Sequence, residues 1–239
     1  MDILFMSFLF GLYLQMNKKG IGKTAIILGA TGLTGGLLLR ELLEDNRYDK
    51  VKVFSRKTIG LNHPKIKEYL GDILDLNTFK NSFKADEVFC CIGTTAKKTP
   101  DKSVYRNIDF DIPVKAAKLC KKNKIDTFIV MSSLGADAKS KVFYNRTKGE
   151  MEEGVLKENI LNTYILRPSI ILGDRKESRL GEDIGKIMMQ TFQFLLFGKF
   201  KKYRAIESKN IAKAMVYLAN TKLADQIIES DQIVELSKK

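Results

Sequence analysis

Ala25-Ile-Ile-Leu-Gly-Ala-Thr-Gly-Leu-Thr-Gly-Gly36, running on into Leu37-Leu-Leu-Arg-Glu-Leu-Leu43, is the stretch that decides the fold. It reads as a short buried strand, a glycine-rich turn and an amphipathic helix. Gly29, Gly32 and Gly35 stand three residues apart, in G-x-x-G-x-x-G rather than G-x-G-x-x-G spacing. Such a turn brings backbone N–H groups and the positive end of a helix against a phosphate. Glycine is needed where φ is positive or where a ligand approaches too closely for a Cβ. A dinucleotide pyrophosphate is the expected occupant, and the flanking strand and helix are what give the motif its weight.

The rest of the chain supplies the context that the turn requires. Strands are expected at 51–54, 66–70, 87–92, 128–131 and 163–166, with a last one at 226–229. Helical patterns cover 34–45, 73–82, 103–123 and 142–158, then 208–218 and 231–236. Strands alternating with helices at this spacing indicate βαβ units and a doubly wound parallel sheet. The expected fold is therefore α/β, a Rossmann sheet in the order 3-2-1-4-5-6 with room for an extra C-terminal strand. Residues 16–239 read as one dinucleotide-binding domain, with a small substrate-facing lobe from about 169 to 239. Within it, 184–200 is rich in Met and Phe; Met188, Met189, Phe192 and Phe194 are lid and core residues or a greasy contact.

Several function classes are disfavoured. Three cysteines, two of them adjacent, make neither a disulfide framework nor metal-ligand spacing, which fits a cytoplasmic location. The single histidine, His63, precedes Pro64 in a loop, so histidine catalysis and histidine metal sites are unexpected. Gly22-Lys23-Thr24 is not a P-loop: Asn17 stands where the first glycine belongs, and the tripeptide precedes a strand instead of following one. The net charge of +13 attracts anions, but the lysines are scattered and interleave with few aromatics, so no specific nucleic-acid site is expected. Residues 1–15 are apolar yet lack the basic start and cleavage site of a signal peptide. They are also shorter than the about 20 residues of a membrane-spanning helix. They read as a peripheral extension or the product of an upstream start, which leaves a weak membrane contact open. A homo-oligomer is equally open.

The chemistry is expected at the strand ends. The second strand ends Phe54-Ser-Arg-Lys57, where an NAD site normally offers a carboxylate to the adenosine ribose. A guanidinium at Arg56, with Lys57, suits a 2′-phosphate, so NADP (NADPH) is expected over NAD. Asp72, after the third strand, either approaches the adenine amino group or caps the next helix. Gly93, after Cys90-Cys-Ile92, lets the backbone approach the cofactor; the cysteines themselves read as buried strand residues. Ser132-Ser133 closes the fifth strand, and Tyr144 and Lys148, four apart, share one face of the following helix. A free phenol titrates near about 10, and a neighbouring ammonium together with an oxidised nicotinamide favours its phenolate. Tyr144 is thus the candidate acid–base, Lys148 its neighbour and ribose ligand, and Ser133 (with Ser132 as fallback) the group that polarises the substrate oxygen.

Gly29-Ala-Thr-Gly-Leu-Thr-Gly35, Ser132-Ser133 and Tyr144-x-x-x-Lys148 together resemble an atypical or extended short-chain dehydrogenase/reductase. Cys90-Cys-Ile-Gly-Thr-Thr95, Ser132-Ser-Leu-Gly-Ala-Asp137, Tyr144-Asn-Arg-Thr-Lys-Gly-Glu150 and Leu166-Arg-Pro-Ser-Ile-Ile-Leu-Gly-Asp-Arg-Lys-Glu-Ser-Arg179 are similar to the Tat-interacting-protein-like oxidoreductases within it. The resemblance spans about 24 to 236. It implies that Thr31, Leu33 and Thr34, within the turn of Gly29, Gly32 and Gly35, contact NADPH, that Arg56 and Lys57 hold its 2′-phosphate, and that Ile92, Gly93, Ile171 and Arg179 line or close over it. It also implies Tyr144 as proton acceptor beside Lys148. Leu33 stands where relatives may carry a charged residue, and the Met/Phe stretch matches poorly, so the substrate does not transfer. The expected activity is carbonyl/alcohol hydride transfer on a small, partly apolar substrate. Two alternatives remain: a nucleotide-sugar epimerase, for which 239 residues leave limited room, and an NADPH-sensing protein without turnover.

Overall fold

The structure, a computed structural model, describes residues 22–95, 97–173 and 196–239 (the backbone alone at Lys199). Its main sheet has seven strands in the order β3-β2-β1-β4-β5-β6-β9, and every neighbouring pair is parallel. The strands are β1 (Lys23–Leu28), β2 (Tyr48–Ser55), β3 (Ile66–Leu70), β4 (Glu87–Cys90), β5 (Thr127–Met131), β6 (Asn162–Arg167) and β9 (Ile227–Glu229). A second, two-stranded sheet pairs β7 (Ile171–Leu172) with β8 (Ile206–Glu207), a pairing that the sequence pattern does not announce.

Alternate residues of each central strand serve opposite layers. Ala25, Ile27, Phe89, Ile129, Tyr164 and Leu166 pack with α1 (Leu33–Glu44), α5 (Ser208–Asn220) and α6 (Ser230–Leu236). Ile26, Leu28, Val88, Cys90, Phe128, Val130 and Ile165 pack on the other side with α3 (Ile112–Lys122) and α4 (Phe143–Leu156). Burial on both faces is why these strands read as continuous apolar runs instead of alternating ones.

Two helical expectations are corrected. The 73–82 pattern yields only a 3₁₀ turn, Leu76–Phe79, because Asp72 and Asp75 each turn back to accept the N–H two residues on, at 2.9 and 3.3 Å. Aspartates that bond the local backbone favour turns over a continuing helix. The 103–123 pattern is interrupted: α2 (Lys102–Arg106) passes through a π-helical turn, Asn107–Asp111, into α3. Pro113 offers no N–H to the Asp109 carbonyl four residues back, and its ring crowds the preceding turn, which is a sufficient cause of the bulge.

Lys23 lies at the opposite edge of the sheet from the glycine turn. Its ammonium reaches Glu87 at 3.2 Å and the Asn220 side-chain oxygen at 2.8 Å, and the Tyr48 hydroxyl also donates to Glu87. Gly22-Lys23-Thr24 is therefore structural. Among the described residues, no helix is long and apolar enough to cross a membrane.

The tightest packing constraint is in the turn after β1. A Cβ on Gly35 would stand 2.1 Å from the Gly29 carbonyl oxygen, so α1 can lie this low only with glycine there. Gly35→Ala is expected to destabilise the protein by about 2–3 kcal/mol, the upper range of an overpacked site. Urea denaturation measures this, and an unchanged midpoint would show that the helix does not sit this close.

Candidate functional site

One register row runs across the sheet: Tyr69, Phe54, Leu28, Cys90, Val130, Ile165 and Ile227. The residues just past it lie along the carboxyl edge, which brings the ends of β1, β2, β4 and β5 together. That edge, where the strand order reverses between β1 and β4, is where open α/β sheets form ligand crevices.

At β1 the chain turns through Gly29, whose φ is +90° and whose Cβ would lie 2.9 Å from the Cys91 carbonyl carbon. Gly29 and Gly35 are thus required by the fold itself. Gly32 is different. It caps α1 with extended backbone (φ −81°, ψ 170°), and an added Cβ would press on the Gly29 oxygen at 3.3 Å, a contact that a shift of a few tenths of an ångström relieves. Its backbone is not strained and its crowding is slight beside that at Gly35, so a bare Cα at the helix N-terminus also fits close approach by a phosphate. Thr31 is exposed, Leu33 half-buried and Thr34 buried around it.

Arg56 and Lys57 are exposed immediately past β2. The Leu28–Phe54 register carries Arg56 alongside the start of the glycine turn, and the Ser55 hydroxyl donates to the Lys57 carbonyl at 2.7 Å to shape that corner. Asp72 is exposed and accepts the Leu74 N–H in the loop, while the cap of the following 3₁₀ turn is Asp75. Ile92 is buried. Ile171 lies in β7, which leads to Gly173; a Cβ there would meet the Leu33 side chain at 2.8 Å, so this segment rests on the glycine turn. Arg179, and with it Met188, Met189, Phe192, Phe194 and the N-terminal apolar segment, lies outside the described residues.

Past β4 and β5 the site becomes charged. Lys148, on α4, is 4% exposed, with its ammonium 2.8 Å from Asp109 Oδ1 and donating to the Met131 carbonyl at 3.3 Å. Burial works against that charge, but the Asp109 carboxylate, helped by Tyr144, more than restores it and holds Lys148 above the ordinary lysine value. Asp109 is fully buried, and its Oδ2 accepts the Thr94 N–H at 2.8 Å. Gly93 lies against this pair: a Cβ there would be in ordinary contact, 3.4 Å from Asp109 Oδ1 and 3.8 Å from Lys148 Nζ. Tyr144, one helical turn ahead of Lys148, is 38% exposed at the mouth of the crevice. The ring of Tyr105, from α2, meets it edge-on with centroids 6.3 Å apart.

The two serines separate cleanly. The Ser132 hydroxyl donates to Glu152, a carboxylate that also accepts from Arg167, by Nε at 2.9 Å and by the terminal nitrogen. The Ser133 hydroxyl is buried without a partner. Ser133 is therefore the hydroxyl with a bond to give. The thiols are not reactive groups: burial pushes Cys90 up to about 11 and raises Cys91 and Cys120 as well.

Asp109 and the Ser132–Glu152–Arg167 network are absent from the sequence reading. Asp109 had one signal, an acid four residues ahead of a proline within a helical pattern, which marks a helix carbonyl without its usual donor. Glu152 had a fainter one: it follows Lys148 by four residues, on the same helix face.

A seven-stranded parallel sheet with a glycine turn at its switch point and a buried lysine at the next strand ends defines a dinucleotide-binding protein of the Rossmann type. The chain belongs to the NAD(P)H-binding family, whose model matches residues 29–222. It is an atypical short-chain dehydrogenase/reductase, homologous to HTATIP2 and FMP52. Rat protein HTATIP2 is 34% identical over 175 residues, 72% of each chain. "Protein FMP52, mitochondrial" of Debaryomyces hansenii is 30% identical over 209 residues, 84% of this chain and 89% of that one. In fold it is similar to the Bordetella bronchiseptica enzyme WbmH in complex with NAD+ (TM-score 0.65, 18% identity, 87% of this chain and 75% of that one). A UDP-N-acetylglucosamine 4-epimerase from Methanobrevibacter ruminantium M1 is similar too (TM-score 0.66, 20% identity, 90% and 80%).

The contrast between the glycines is testable. Gly32→Ala is expected to keep stability within about 0.5 kcal/mol, as a change without a buried clash does. Its dinucleotide affinity should fall by an order of magnitude, about 1.4 kcal/mol, as the methyl group holds the phosphate off. Calorimetric titration with NADPH reads the second effect, and undiminished affinity would remove the turn from the phosphate site.

Proposed function

We propose that the protein is an NADPH-dependent oxidoreductase interconverting a carbonyl and an alcohol on a small, partly apolar substrate. What supports this reading is a buried, charged Lys148 one helical turn after Tyr144, together with the unpartnered Ser133 hydroxyl just past β5. Bound NADPH would supply the hydride, its pyrophosphate at Gly32 and the N-terminus of α1. Arg56 and Lys57 would meet the 2′-phosphate with two cations and no carboxylate, which favours NADP over NAD. Lys148 would donate to the nicotinamide ribose hydroxyls. Ser133 would donate to the substrate oxygen and hold it beside Tyr144, whose hydroxyl would give that oxygen its proton in reduction and take it back in oxidation. Val104, beside Tyr105, and Val142, two residues before Tyr144, are exposed and would give the mouth an apolar side suited to such a substrate.

Arg56→Ala is expected to weaken NADPH binding about 10- to 100-fold, the worth of a charge-assisted bond, and to leave NADH binding unchanged. Calorimetry with both cofactors checks this. Equal affinity for the two in the wild type, with no loss in the variant, would defeat the 2′-phosphate assignment.

A panel of aldehydes, ketones and alcohols tests the chemistry. Tyr144→Phe should lower turnover at least about 100-fold while NADPH affinity stays within about twofold. Should the wild type bind NADPH tightly and turn over nothing in the panel, a cofactor-sensing role replaces the catalytic one.

A further inference from the structure

Among the described residues, four buried side-chain polar atoms lack a hydrogen-bond partner: Tyr105 Oη, Asp109 Oδ1, Ser133 Oγ and Arg204 Nε. Buried polar groups are nearly always paired, so each exception calls for a reason. Ser133 has one in the substrate oxygen. Tyr105 and Asp109 belong to one helical stretch, four residues apart across the start of the π turn, and the function proposed above uses neither.

Tyr105 is 2% exposed, with its ring edge-on to Phe143 at 5.6 Å and to Tyr144 at 6.3 Å. Burial, and then the nearby Asp109 charge, keep its phenol protonated far above the ordinary value. It is a donor without an acceptor. Asp109 Oδ1 is its counterpart: it is held by the Lys148 ammonium, 2.8 Å away as an ion pair, and by no other donor. An ionised carboxylate only accepts, and the other oxygen of this one accepts the Thr94 N–H.

We propose that Tyr105 is a positioning residue that takes over the Asp109 carboxylate when Lys148 turns to the nicotinamide ribose. The inference rests on the assignment of Lys148 to that ribose. The lysine has two claims on its ammonium, and leaving a buried carboxylate for the ribose would strand a charge in a low-dielectric site. Tyr105, whose buried hydroxyl lies within the field of Asp109 and has no acceptor of its own, would then donate to Oδ1. The cofactor then engages Lys148 without uncovering Asp109. The two groups stand four residues apart where the helix enters the π turn, so the carboxylate follows the phenol by one turn on the same side. Bulges of this kind recur at functional sites.

Tyr105→Phe keeps the ring against Phe143 and Tyr144 and removes only the hydroxyl. The full chain, as wild type, Tyr105→Phe, Asp109→Asn and the double variant, is titrated with NADPH and with NADH by cofactor fluorescence. Thermal denaturation of each free protein runs alongside. Free Tyr105→Phe is expected to melt at or above the wild-type temperature, because an unpaired buried hydroxyl has gone. Its affinity should fall about tenfold for both cofactors, which share the nicotinamide ribose. In the Asp109→Asn background the same substitution should change affinity less than about twofold, as the charge to be covered is absent. Wild-type affinity in Tyr105→Phe, or a tenfold loss that persists beside Asp109→Asn, overturns the exchange. Lys148→Met separates the foundation from the inference. If it binds both cofactors as the wild type does, the ribose assignment fails and the exchange with it. If it weakens binding while Tyr105→Phe does not, the exchange alone fails.

Discussion

The approach of α1 to the end of β1, with Gly35 lying on the Gly29 carbonyl, is the constraint on which the site depends. No side chain fits between them, so the first turn of the helix comes down onto the strand end and its free N–H groups face the crevice. Gly29 is held from its other side by the Cys91 backbone, which locks the ends of β1 and β4 at one level. From that junction the common register carries β2 and Arg56 to one side and β5 with its serines to the other.

The second determinant is electrostatic. A lysine as deeply buried as Lys148 would ordinarily shed its proton, and here it keeps it because a buried carboxylate stands 2.8 Å away. The pair also joins three elements: Asp109 from the π turn, Thr94 from the segment after β4, and Lys148 from α4. Gly93 lies directly against it. The Ser132–Glu152–Arg167 network does a related job one strand over, tying α4 to the end of β6 and occupying the first of two adjacent hydroxyls. Selectivity between Ser132 and Ser133 follows from which one has already spent its donor.

The sheet order, the strands and most helices were legible because they depend on local signals: apolar runs of strand length, glycines at fixed offsets and 3.6-residue periodicity. The failures were local as well. The 73–82 pattern became a 3₁₀ turn because Asp72 and Asp75 bond their own backbone, and periodicity does not register that competition. The helix around Asp109 was read as continuous because an apolar stripe persists through a π turn, although Pro113 stood in the sequence as a warning.

Residue types and spacing alone determined that a glycine-rich turn opens the chain's first βαβ unit, that cations stand where a carboxylate is usual after β2, and that Tyr144 and Lys148 share a helix face. Those are properties of short segments. Only the tertiary structure decided that Lys148 is paired with Asp109, 39 positions before it in the chain. It also decided that Ser132 is committed while Ser133 is not, and that packing forbids a side chain at Gly35 far more strictly than at Gly32. Each of these is a contact between elements far apart in sequence. Its strength comes from burial, and burial exists only once the sheet and its two helical layers have closed.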